Sequence, residues 1–192
     1  MIKKILSLLF IIFSIPSAIC LSNPALDDYS AGTFSIDLHL GIPDNHSTID
    51  QLYTSYIFTA GLGSGFAGQY VYHDAEADNG GRRIKSTQIN ILKSEHKGLS
   101  FMIGSSQTEL VGNYSRTDII AGVQGTVYIG SNTRAYTSMS AGPGITAYSV
   151  AIGYSLTPNT ELKLNYSDLR YKDLAPEVIT VKVPYGGIVY RF

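Results

Sequence analysis

A chain of 192 residues with formal net charge −1, 15% charged residues and 44% hydrophobic residues has room for one domain and too few charges for disorder. It has no run of Lys or Arg to neutralise phosphates, which excludes a nucleic-acid partner. With a single Cys it cannot form an internal disulfide and must close its core by other means.

In chain order, the first segment is a leader. Met1-Ile2-Lys3-Lys4 is basic, Ile5 to Ile15 is apolar, and Pro16-Ser17-Ala18-Ile19-Cys20 supplies small residues at cleavage spacing. The apolar run is shorter than the about 20 residues a spanning helix needs. Residues 1–20 therefore read as a signal peptide, cleaved after Cys20 or Ser22. Ile19 is bulky where a lipoprotein signal prefers a small residue, so lipidation of Cys20 is only the alternative. Residues 21–32 follow as a short N-terminal periplasmic segment, and 33–192 form the structural domain.

From residue 33 onward the pattern has period two, with no amphipathic helix. Phe34, Ile36, Leu38 and Leu40 alternate with Ser35, Asp37 and His39. The same alternation recurs at 98–106, 117–129, 145–156 and 160–167, where Leu162, Leu164 and Tyr166 oppose Glu161, Lys163 and Asn165. Ten strands are expected near 33–41, 52–60, 65–73, 84–93, 98–107, 117–129, 134–141, 145–156, 160–171 and 178–192. The weakest alternation lies at 134–145, and merging a second weak pair such as 52–73 would reduce the count to eight. Joins after even strands are short, whereas 42–51, 74–83, 108–116 and 172–177 are longer and more polar. Short turns at one end and longer loops at the other are the pattern of a closed antiparallel transmembrane β-barrel. An even strand count puts both termini at the periplasmic end.

A soluble β-sandwich also alternates, but three features favour the membrane barrel. Aromatics (Phe66, Tyr72, Tyr148, Tyr154, Tyr190, Phe192) stand on the apolar face toward the strand ends, where the membrane–water interfaces lie. The opposite face is small and polar (Ser35, Gln69, Gln88, Asn90, Gln124, Asn165), as a narrow lumen requires. The chain also finishes on an alternating strand with a terminal aromatic, and closure is the only way a sheet satisfies its backbone in lipid.

The tail Tyr190-Arg191-Phe192 resembles the carboxy-terminal signature by which outer-membrane proteins are recognised for assembly. That resemblance implies the barrel-assembly machinery as a partner, with Tyr190 and Phe192 as the signal. The stretch from Ala151 to Tyr171 resembles the penultimate hairpin of the OmpX/Ail and opacity-type small barrels, and Phe66 to Gly80 is similar to the YfaZ-type barrels. These resemblances imply an integral outer-membrane protein. Its role would be adhesion or another surface interaction, a porin-like function, or envelope structure.

Candidate chemistry is sparse. Gly63-Ser64-Gly65-Phe66-Ala67-Gly68 matches G-x-G-x-x-G, but a strand follows it where phosphate binding needs a helix, so it reads as a tight turn. Asp44, His46 and Asp50, and His73 with Asp74, Glu76 and Asp78, are expected in surface loops. A His–carboxylate pair can activate water or a Ser, but neither cluster has a nucleophile at a telling spacing. They read as solvated charge, with a divalent cation bridging lipopolysaccharide phosphates as the alternative. No catalytic, cofactor or metal residue is assigned, and no enzyme activity is expected. Membrane lipid and lipopolysaccharide are the expected surroundings, with a host or cell-surface molecule as the ligand an adhesive role would need. Glu161 and Arg191 are expected to form a lumenal ion pair, because neither charge could sit alone in a narrow interior. In the last strand the apolar parity switches between Val183 and Ile188, which a bulge near Pro184 would reconcile, or a segment 178–183 projecting as loop.

Overall fold

A computed structural model describes residues 29–42, 52–76, 82–96, 98–112, 114–176 and 178–192. The signal peptide with Cys20, and the loop candidates Asp44, His46, Asp50 and Asp78, lie outside the described residues. Ten strands form: β1 (Phe34–Gly41), β2 (Tyr53–Gly63), β3 (Phe66–Glu76), β4 (Arg83–His96), β5 (Leu99–Leu110), β6 (Tyr114–Tyr128), β7 (Thr133–Ala141), β8 (Ile145–Ser155), β9 (Thr160–Tyr171) and β10 (Ile179–Arg191). Each pairs antiparallel with its sequence neighbours, and β1 pairs with β10 to close the barrel. Eight strands are excluded, because the weakly alternating segment 134–145 makes a full wall strand, β7, between β6 and β8.

The joins separate the two ends. At the end that holds Phe192, the β2–β3 connection is only Ser64-Gly65, and Gly63, Ser64 and Gly65 all take the left-handed conformation. Turn geometry accounts for Gly63 and Gly65 of the G-x-G-x-x-G match, while Gly68 is an ordinary residue of β3. We name this the turn end and the opposite one the loop end. Two of the loops are shorter than the sequence suggests: 108–116 contracts to 111–113, and 74–83 contracts to 77–82. Asp74 and Glu76, expected in a surface loop, are therefore residues of β3. The reason is that pairing continues through Asp74↔Lys85 to Glu76↔Arg83, which satisfies backbone groups that a loop would leave to solvent.

β10 also differs from expectation. Its pairing with β9 runs without a register shift from Ile179↔Tyr171 to Tyr190↔Thr160, so it has neither bulge nor projecting loop. The apolar parity switches because the solvent on each side of the wall changes with height. Toward the turn end, Leu38, Tyr56, Phe58, Ile89, Ile103, Ile152, Leu164 and Ile188 face outward and exposed. Toward the loop end the outer face becomes polar. Thr54, Asp74, Lys85, Glu109 and Ser115 follow one another across five strands of a single ladder row, and Lys182 stands opposite Asp168. There the interior takes the apolar residues instead: Ile84, Leu110, Ile120, Ile145, Leu169, Ile179, Val181 and Val183 are all buried in one cluster. The lower wall is apolar outside and mostly polar inside, with Ala67, Leu92 and Met102 among the buried apolar exceptions; the upper wall is the reverse.

Glycine sets the closing seam. Gly187 of β10 faces His39 of β1, and a methyl group there would run into the imidazole ring and the Leu38 backbone. Gly187→Ala should therefore destabilise the barrel by about 1–3 kcal/mol through overpacking. The check is the fraction of protein that keeps the compact, fast-migrating form on unboiled gels. Equal fractions for wild type and variant would contradict it.

Candidate functional site

Charged and hydrogen-bonding side chains from several strands converge in the interior, which divides into three layers. The layer nearest the turn end centres on Glu161. Its carboxylate accepts from the Tyr136 hydroxyl at 2.6 Å and from Arg191 Nη2 at 2.8 Å, with Arg134 Nε at 3.8 Å. The structure thus brings Glu161 and Arg191 together across the β9–β10 hairpin and adds two β7 side chains to them. Gly153 makes the room, since a methyl group there would collide with the Glu161 carboxylate. A second pair, Lys163 with Asp37 at 3.2 Å, is fully buried, and the Lys163 ammonium lies 4.4 Å from the centroid of the Tyr136 ring. A buried carboxylate is sustained only when cations and donors meet it; Glu161 has the Tyr136 and Arg191 hydrogen bonds and the Arg134 charge, while Asp37 is held by Lys163 through Oδ2.

The chain ahead of β1 also enters this layer. A turn closed by Thr33 N–H donating to the Ser30 carbonyl brings Tyr29 back into the barrel mouth. Tyr29 is buried there, its hydroxyl 3.1 Å from Ser100 Oγ and its carbonyl accepting from Gly63 N–H. Nothing in the sequence reading singled out Tyr29; an isolated aromatic before the first strand carries no periodic signal.

Above lies a belt of rings. His39 meets Tyr185 edge-on at 5.1 Å, Tyr185 lies 5.0 Å from Tyr53, and Tyr53 stacks on His73 at 5.7 Å. The Tyr53 hydroxyl and His73 Nδ1 are 2.6 Å apart. His73 was expected at the outer rim with Asp74 and Glu76 as a His–carboxylate cluster. Because successive strand residues face opposite ways, His73 points into the lumen and Asp74 points out, and the cluster does not exist. Asp74 instead accepts two bonds from Arg83, each at 2.7 Å, and one from the Tyr72 hydroxyl at 3.2 Å. Glu76 stands on the same outer face, opposite Arg83.

The loop-end layer is the apolar cluster, stoppered by Leu174 from the β9–β10 connection, which is only 2% exposed. Beside it Arg116 holds Asp118 and reaches Asp173 at 2.6 Å, and Lys172 N–H donates to the Gly144 carbonyl. Burying a leucine contributes about 1.5–3 kcal/mol, against about 0–1 kcal/mol for an exposed ion pair. Leu174, rather than the Arg116–Asp173 contact, therefore fixes the loop over the mouth.

Among the described residues no group of three or more His, Cys, Asp or Glu converges to hold a metal ion. No helix among them is long and apolar enough to cross a membrane, which says nothing of crossing by strands.

No protein-family model matches the chain, and no curated protein does. Solved structures that resemble it include outer-membrane proteins and a de novo designed transmembrane β-barrel. The N-terminal barrel domain of Pseudomonas aeruginosa OprF is 10% identical with a TM-score of 0.40, over 84% of this chain and 98% of that one. Neisserial surface protein A is 12% identical with a TM-score of 0.40, over 83% and 96%. The KdgM porin is 11% identical with a TM-score of 0.42, over 82% and 99%. What defines the class of this chain is its own wall: a closed, ten-stranded antiparallel β-barrel.

Proposed function

We propose that the protein is an integral outer-membrane barrel that displays a polar collar and short loops at the cell surface and conducts no ions. Its role on this reading is surface interaction or envelope structure, and it is not an enzyme. The observation that carries the reading is the inversion of polarity along the wall. An outward apolar band rimmed by Phe66, Tyr154, Tyr190 and Phe192 suits hydrocarbon and its interface, and the charged collar above it suits water. Lipopolysaccharide and the barrel-assembly machinery are the partners proposed on this reading, with Tyr190 and Phe192 as the proposed recognition residues for assembly. A host or cell-surface ligand would meet the collar and the loops.

A narrow porin is the other reading that the barrel class invites. Against it stand the fully buried side chains that fill the lumen from Glu161 and Lys163 to Leu169 and Val183. Purified protein reconstituted in planar bilayers should be silent while running as the compact form on unboiled gels. Discrete, reproducible openings from such well-folded protein would replace this reading with the porin.

A further inference from the structure

Two places on the outer wall carry the same set of side chains where the apolar band gives way to the charged collar. On β3 and β4, Arg83 holds both oxygens of Asp74, each at 2.7 Å, and Lys85 stands opposite Asp74 in the ladder. On β9 and β10, Arg170 holds both oxygens of Asp168, each at 3.0 Å, and Lys182 stands opposite Asp168. A tyrosine lies beneath each carboxylate on the same face: Tyr72 under Asp74 and Tyr166 under Asp168. Each guanidinium occupies its carboxylate, and among the described residues neither lysine makes an ion pair.

The surroundings of the two sets differ. Lys85 has Glu109 as its partner on β5 and Glu76 faces Arg83, so carboxylates offset the cations there. Around Lys182 the neighbouring outward positions are Tyr148, Thr146, Arg170 and Thr180, and the exposed Lys172 adds a cation at the top of β9. Asp173, in the connection above, is held by Arg116 at 2.6 Å. The outer face of β9 and β10 therefore sets three cations against the single carboxylate of Asp168.

Below Lys182, β10 turns Pro184 and Gly186 outward. Gly186 shares its ladder row with Leu164 of β9 and Leu40 of β1, both exposed. A Cβ at Gly186 would meet Leu164 at an ordinary 3.6 Å, and the backbone there is not left-handed, so the wall itself does not demand glycine. What glycine leaves is a shallow apolar furrow between two leucines, leading up to a lysine.

We propose that the outer face of β9 and β10 binds one phosphorylated glycolipid of the surrounding leaflet, an inference that rests on the reading of the loop end as the cell-surface end. Lys182, with Arg170 beside it, meets the phosphate, and an acyl chain lies in the furrow over Pro184 and Gly186. The cations select an anionic head group, and the furrow beneath them selects a lipid over free phosphate.

The test mixes the full barrel, purified in a neutral detergent, with bisphosphorylated lipid A and counts retained lipid by native mass spectrometry. One lipid A per barrel is expected, and inorganic phosphate should not displace it. Lys182→Ala should weaken retention about fivefold, the contribution of one basic residue at an anionic lipid surface. Gly186→Leu, which fills the furrow, should weaken it as well, and Lys182→Arg should restore it. Lys85→Ala should leave it unchanged. Equal losses in Lys85→Ala and Lys182→Ala would overturn the site, and so would displacement by inorganic phosphate. A barrel that keeps its compact gel form and stays silent in planar bilayers, yet retains no lipid A, overturns the site and leaves the surface reading standing. Discrete openings overturn that reading whatever lipid is held.

Discussion

Glu161→Ala should lower the stability of the folded barrel by about 3–5 kcal/mol, the cost of leaving buried cations without their counter-charge. Arg191, Arg134 and the Tyr136 hydroxyl all turn to this one carboxylate, and Lys163 is buried beside Tyr136. Removing it strands positive charge beside a fully buried Lys163. Glu161→Gln keeps the volume and an acceptor oxygen and should lose less. Urea titration of both variants in the same detergent, followed by the compact gel form, reads the difference. An alanine variant with an unchanged midpoint would show that the layer is not a structural support.

The second large effect depends on height. Leu164 stands in the middle of the outward apolar band and is 73% exposed, so nothing in the protein buries it. Leu164→Arg should destabilise the barrel in a bilayer by about 2–4 kcal/mol, against about 0–1 kcal/mol for a charge placed near an interface. Thr117 also faces outward, but toward the loop end of β6, opposite Gln107 on β5. Thr117→Lys should be close to neutral. Unfolding in vesicles of defined thickness measures both, and equal costs would remove the argument for a lipid-facing band.

Most of the wall was legible because most of it obeys a single code. β1, β8 and β9 alternate strictly in the sequence, and the structure places Leu38, Ile152 and Leu164 outside with Asp37, Ser149 and Asn165 inside. β10 was misread where that code reverses. Val181 and Val183 are apolar and point inward, because near the loop end the lumen is a dry core and the exterior is water. Ile84, Leu110 and Leu169 carried the same signal: each is apolar at the inward parity, next to a loop. Asp74 was assigned to a loop because it is charged, although its outward parity on β3, nine residues before Arg83, already allowed a cross-hairpin pair. Tyr136 and Arg134 were missed for a different reason. They sit on the strand with the weakest alternation, and their purpose is visible only once β9 lies two strands away.

Closure joins Gly41 to Tyr185 and Ser35 to Arg191, so the first strand made is completed by the last. A nascent polypeptide lacking its final 13 strand residues would present two raw margins, each a template for intermolecular pairing. Insertion one hairpin at a time would strand such margins in hydrocarbon. A ring of this register therefore closes only once β10 is in place beside β1.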